Sequence, residues 1–184
     1  MTRRDDIGDA GIRCIARGGS RALTHRAVDA EASLPPGSTS YYARSRRELL
    51  RLVTGRISAQ LDADLDALVL PAEGDPAVVA ATFLDTIAER HAAQVARYLL
   101  LVELRDDDEL RSTLTAADAV RQRLDAVGTA LLRTGGASDP EQRAPELVAL
   151  VDALLLQRIA DAAPLDVRSV LAAYLRGITD AHSR

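Results

Sequence analysis

Residues 23–50 read LTHRAVDAEASLPPGSTSYYARSRRELL, two short helix signals around a proline turn and then the start of a longer helix. Thr24 is a favoured N-cap, because its hydroxyl can accept a bond from an otherwise unpaired amide of the first turn. Leu23 just before that cap and Val28 one turn into the helix fit a hydrophobic staple. Ser33-Leu34-Pro35-Pro36-Gly37 cannot continue a helix, since each proline lacks an amide donor and pushes its predecessor out of the α region. The stretch from Gly37 to Ala43 then has room for about two helical turns. It carries Ser38, Thr39, Ser40, Tyr41 and Tyr42, all able to hydrogen-bond and none charged. Ser45 and Glu48 form a capping box ahead of an apolar periodic run, which predicts a second, longer helix start. The order is that of a helix-turn-helix.

This succession of capped helix, small turn, Gly-Ser-Thr-Ser-Tyr-Tyr helix and basic long-helix start resembles the TetR family of bacterial transcriptional regulators, over roughly Ile7 to Val53. Members of that family often have a tyrosine where Ser40 stands and an aromatic or bulky apolar residue where Ala43 stands. The resemblance implies an all-α fold: a three-helix helix-turn-helix unit joined through a long fourth helix to a C-terminal bundle that dimerises. The expected division is a DNA-binding domain over 1–50 and a helical ligand-binding and dimerisation domain over 51–184. By the same resemblance, Thr24, His25 and Arg26 approach the DNA backbone or a base edge, and Gly37 lets the turn come close. Ser38, Ser40 and Tyr42 face the groove or its phosphates, Thr39 and Tyr41 sit partly inward, and Arg46 holds a phosphate. Arg44 is a second candidate phosphate contact. Arg26 is the candidate for bidentate guanine readout, with an ion pair to Glu31 or Asp29 as the competing reading.

Charge is distributed in the same sense. The chain of 184 residues has a net charge of −4, and lysine is absent, so all 23 basic residues are arginines. Met1 to Gly55 holds ten arginines against six acids, whereas the remainder holds thirteen against twenty-one. A local positive field suits a phosphate-contacting surface, and an acidic remainder discourages DNA elsewhere. Without lysine there is no P-loop of the usual kind and no lysine Schiff base. Gly-x-Ser-x-Gly and His-Glu-x-x-His are absent and the three histidines are scattered, so neither an enzyme nor a cofactor is expected. The single Cys14 lies in an apolar pattern and reads as a core residue. No basic leader or apolar run of about 18 residues is present, so a cytoplasmic protein without membrane association is expected.

Along the chain, the periodicity predicts a first helix over 5–17 closed by Gly18-Gly19, a second over 25–32, and the short third. The fourth is expected over 46–68, with Leu50, Val53, Ile57, Leu61, Leu65 and Leu68 on one stripe. After a linker at 71–76 come helices over 77–90, 92–105 and 109–133. The acidic run Asp106 to Glu109 reads as a turn and helix start, where carboxylates complement the dipole, rather than as a cation site. A loop over 135–145 precedes two last helices, 146–160 and 166–181, apolar on more than one side and therefore in need of more than one neighbour.

These two helices are expected to pair with a second copy, through Leu147, Val151, Leu154, Leu155, Val170, Leu171, Tyr174 and Ile178. The homodimer would set two recognition helices about 34 Å apart on a pseudo-palindromic operator of double-stranded DNA. An unknown small-molecule effector would release this repressor, with His91, Arg97, Tyr98, Glu103 and Gln122 as candidate ligand contacts. A helical protein-interaction module or ligand carrier without sequence-specific DNA binding is the alternative.

Overall fold

The computed structural model describes residues 2–71, 74–115, 119–162 and 164–180, and every regular element among them is helical. The α-helices are α1 (Arg3–Gly18), α2 (His25–Glu31), α3 (Ser38–Tyr42), α4 (Arg46–Ala67), α5 (Pro76–Glu89) and α6 (His91–Glu103). They continue with α7 (Asp108–Thr115), α8 (Ala119–Thr134), α9 (Pro140–Ile159) and α10 (Val167–Asp180), and a 3-10 turn covers Ser20–Ala22. The packing divides the chain into two compact units, Met1–Ala63 with Arg90–Asp118, and Asp64–Glu89 with Ala119–Arg184.

In the first unit, α1 starts earlier than its apolar pattern predicts because Thr2 caps it. The Thr2 hydroxyl accepts from the Asp5 amide at 3.2 Å, and the Thr2 amide donates back to the Asp5 carboxylate at 2.6 Å. Ile7, Ala10, Cys14 and Ile15 then face inward, and α6 lies along this helix. A Cβ at Gly11 would press into Val53 of α4, so the close approach of α1 and α4 requires a glycine there. The α4 stripe is buried as expected at Leu50, Val53, Ile57 and Leu65, and half-buried at Leu61 and Leu68. Burial also pushes the Cys14 thiol pKa up, which leaves it an inert core residue.

One result departs from the division at residue 50. Ala93, Ala96 and Leu100 from α6, Leu104 just past its end, and Leu110 and Leu114 from α7 belong to the same core as Val28, Ala43, Leu49 and Val53. Periodicity shows which face of a helix is apolar but not which neighbour covers it. Full burial of a leucine or isoleucine contributes about 1.5–3 kcal/mol, so α6 and α7 are a large part of what holds this unit together.

Ion pairs lie over the same joints. Arg13 and Arg17 of α1 both meet Glu31 of α2, and Arg56 of α4 meets Asp9 of α1 at 2.7 Å. Arg47 and Arg51 of α4 grip Asp107 and Glu109 at the start of α7. Asp107 also accepts from the Leu110 amide at 3.2 Å, so the acidic run is a turn and helix start, with the α4 arginines as its counter-charges. Their guanidinium groups hold the Asp107 and Glu109 carboxyls below the usual range.

The second unit contains α5, α8, α9 and α10. Helix α9 packs on α8, and α10 packs on α5. Helix α9 begins at Pro140 rather than at Glu146, because proline suits the first helical turn and Pro145 is tolerated near that end, on an exposed face. The helix expected over 109–133 is described as α7 and α8, with 116–118 outside the described residues. Ala72 and Glu73 of the expected linker, and Ala181 at the end of the last helix, also lie outside them.

This packing corrects the expected dimer contacts. Leu147, Leu154, Leu155, Leu171 and Ile178 are all buried within the single chain, each less than 8% exposed, so they leave little surface for a second copy. Val151, Val170 and Tyr174 are half-buried, and the Tyr174 hydroxyl donates to Glu146 at 3.1 Å. The exposed residues of α9 include Pro145, Ala149, Ala153 and Leu156 together with Glu146, Gln157 and Arg158, and those of α10 include Arg168, Ser169, Ala173, Arg176 and Gly177. Most of the large aliphatics are taken up by the core, Leu156 at 42% exposed being an exception.

Candidate nucleic-acid interface

Helix α2 starts where the cap places it, with the Thr24 hydroxyl accepting from the Ala27 amide at 3.1 Å. Leu23 and Val28 are both buried, as the staple requires. The turn to α3 passes through Gly37 at φ 91°, a left-handed conformation that costs little only for glycine. At Ser38, the amide and the hydroxyl both donate to the Pro35 carbonyl, at 3.1 and 2.7 Å.

The organising group of this turn is Asp29, which the sequence pattern offers only as a rival partner for Arg26. Its carboxylate, 3% exposed, accepts from the Gly37 amide at 2.7 Å, the Thr39 amide at 2.7 Å and the Thr39 hydroxyl at 2.6 Å. Burial alone would raise its pKa, but the bonds from Thr39 and Gly37 outweigh that and hold it lowered. No local motif announces a contact that reaches from one helix across a proline turn to the next. His25 adds a second strut, its Nε2 donating to the Ala43 carbonyl at 2.7 Å, so it ties α2 to the end of α3.

The tyrosines are reversed from expectation. Tyr41 is 82% exposed, whereas Tyr42 is half-buried against the core, their rings meeting edge to face at 5.2 Å. Thr39 is fully buried, as its bond to Asp29 requires; Ser38 is half-buried and Ser40 exposed. One turn of α3 therefore presents Ser40 and Tyr41 outward. The capping box of α4 is also displaced by a residue: Ser45 accepts from the Glu48 amide at 3.2 Å, but the Glu48 carboxylate accepts from the Arg44 amide at 2.7 Å.

Arg46 does not extend freely from the start of α4. Its guanidinium donates to the Leu23 carbonyl at 2.8 Å and the Ser20 carbonyl at 2.9 Å, satisfying the end of the 3-10 turn. The Ser20 hydroxyl in turn donates to Glu103 of α6. Arg26 and Arg44 are exposed and make no ion pair among the described residues; both rival acids of Arg26 are engaged elsewhere, Glu31 with Arg13 and Arg17, Asp29 with the turn. The arrangement leaves two unneutralised guanidinium groups on either side of an outward Ser40 and Tyr41 in sequence, on a helix fixed from behind by Asp29 and His25.

The candidate ligand residues are less gathered. His91, Glu103 and Gln122 are exposed. On α6, the Arg97 guanidinium lies 4.3 Å over the Tyr98 ring and donates to Gln94 at 3.1 Å. Gln94 is 6% exposed, a buried polar group that the sequence reading did not single out. Among the described residues, no group of three or more His, Cys, Asp or Glu is placed to hold a metal, and no helix is long and apolar enough to cross a membrane.

Comparison of the sequence with curated proteins gives no match. Among solved structures, a transcriptional regulator from Rhodococcus sp. RHA1 superposes with a TM-score of 0.78 at 19% identity, over 98% of this chain and 97% of that one. A TetR family member from Streptomyces coelicolor A3 gives 0.71 at 26% identity, over 97% and 98%. The multidrug binding protein EbrR, complexed with proflavin, gives 0.64 at 24% identity, over 96% and 99%. Residues 71–181 match the family model described as "Tetracyclin repressor-like, C-terminal domain". With more than half of the sequence under that model and an all-helical fold shared along the whole chain, this protein belongs to the TetR family of transcriptional regulators.

Proposed function

We propose that the chain is a repressor that binds a pseudo-palindromic DNA operator as a homodimer and is released by a small-molecule effector. The observation that carries the DNA reading is the outward Ser40 and Tyr41 between the unneutralised Arg26 and Arg44, on a turn rigidly held by Asp29. Phosphate contacts by Arg44 give affinity, and Arg26 and Tyr41 read base edges. In this reading the reading function resides in 1–50 and the effector and dimer functions in 51–184. Dimerisation uses the outward small residues of α9 and α10, Ala149, Ala153, Ala173 and Gly177, which let two helix pairs approach closely. The EbrR structure holds proflavin; here the effector is assigned to α6, at the buried Gln94 and the half-buried Arg97 and Tyr98. Because α6 shares a core with α2 and α4, a ligand that prefers one setting of α6 shifts the population of recognition-helix positions.

Selection of bound fragments from genomic DNA tests the reading. The wild-type chain should retain a small set of fragments with affinity falling steeply with salt, and Arg26→Ala should relax preference at particular base pairs. Retention that is absent at low salt, or independent of salt, would refute it.

A further inference from the structure

Since lysine is absent, the fixed positive charges of α1 are its arginines, and their partners can be followed one by one. Arg3 meets Asp6 at 3.5 Å, and Arg13 and Arg17 share Glu31. Arg4 is exposed and has no acidic partner among the described residues. It also stands in the first turn of α1, where the helix dipole is positive and a cation is disfavoured. The fold gains nothing visible from an arginine at that position.

What surrounds Arg4 is an open cleft of about 420 Å³, walled by Thr2 and Asp5 of α1, Tyr42 at the end of α3, and Glu48 and Arg51 of α4. The other charged groups of this wall are committed. Asp5 accepts from the Thr2 amide and faces Arg56, Glu48 accepts from the Arg44 amide, and Arg51 pairs with Glu109. Arg4 is left as the cation with open donors, on a cleft shared with the recognition helix just past the exposed Tyr41. The carboxylates of Asp5 and Glu48 would repel a small anion settling inside. A polyanionic strand passing the mouth presents its charge to Arg4 first.

We propose that Arg4 is a DNA-backbone contact, its guanidinium fork taking a phosphate of the strand that passes Tyr42, so that the interface extends from α3 to the first turn of α1. The proposal rests on the reading of α3 as the recognition helix. A fork of two parallel N–H donors matches a phosphate in geometry and in charge, and it carries no base preference.

The test is fluorescence anisotropy over a salt series, with a fragment recovered in the genomic selection and with an unrelated duplex. Wild type, Arg4→Ala and Arg133→Ala are compared, the last removing an equal charge from α8. Arg4→Ala should weaken both duplexes by about three- to ten-fold and lower the slope of log affinity against log salt by about 0.9. Its denaturation midpoint should be unchanged or slightly raised, since a cation leaves the positive end of a helix. Arg133→Ala should keep the wild-type slope. Wild-type affinity and slope in Arg4→Ala would overturn the proposal while leaving the recognition helix in place. Weaker binding with a lowered midpoint and an unchanged slope would overturn it in favour of a structural role. A wild type that binds neither duplex would remove the proposal and the DNA reading together.

Discussion

Replacing Asp29 should damage the reading head more than any exposed residue of the interface. The carboxylate is 3% exposed and accepts three bonds of 2.6–2.7 Å, from two amides and a hydroxyl. Hydrogen bonds to a charged acceptor contribute about 1.5–3 kcal/mol each, and a buried donor left without a partner costs about 1–3 kcal/mol. Water can reach the Gly37 amide, because Gly37 is exposed, so the two Thr39 donors dominate. Asp29→Ala should therefore cost about 2–5 kcal/mol, a large share of the 5–15 kcal/mol typical of a domain. Asp29→Asn keeps the shape but turns a donor toward the Gly37 amide, and should lose about half as much. Urea unfolding followed by circular dichroism measures both. Since the folded pKa is lowered, this stabilisation is fully present above the unfolded carboxylate value of about 3.9 and is lost as pH falls through the folded value. Asp29→Ala should flatten the acid limb of the stability curve. An alanine variant within about 0.5 kcal/mol of wild type, with an unaltered acid limb, would refute the argument.

Gly11→Ala should cost about 1–3 kcal/mol by forcing α1 away from Val53, and differential scanning calorimetry should show a lowered transition; an unchanged transition would mean the helices yield freely. In the second unit, Leu155→Ala should cost about 2–5 kcal/mol as a cavity at a residue 2% exposed. Ala153→Arg, on the outward side of the same helix, should instead leave the unfolding midpoint near wild type and shift sedimentation from dimer to monomer; a wild-type monomer at micromolar concentration would refute the dimer.

The elements that could be read from the sequence were those set by local chemistry. Thr24, the Pro35-Pro36-Gly37 turn and the α4 stripe each depend on neighbours within a turn or two, and each is where the pattern placed it. What escaped depends on contacts far along the chain. Tyr41 and Tyr42 exchange inside and outside because the five residues of α3 offer no period long enough to fix a face. Arg46 looked like a phosphate ligand by position, but carbonyls more than twenty residues earlier take its donors. For Leu147, Leu154 and Leu155 the pattern shows that they must be covered, but not by what.

The core that joins α6 and α7 to the helix-turn-helix has a further consequence, for the order in which the molecule can be built. Ile7, Val28 and Val53 share one core with Leu100, Leu104, Leu110 and Leu114, which lie on the far side of α5 in sequence. As the chain leaves the ribosome, the core under the reading head is complete only once residue 114 has emerged. Until then its apolar face waits exposed, where chaperones or aggregation compete for it. A fragment cut at the end of α4 lacks these core residues, so the DNA-reading part of this protein is best studied with the chain intact.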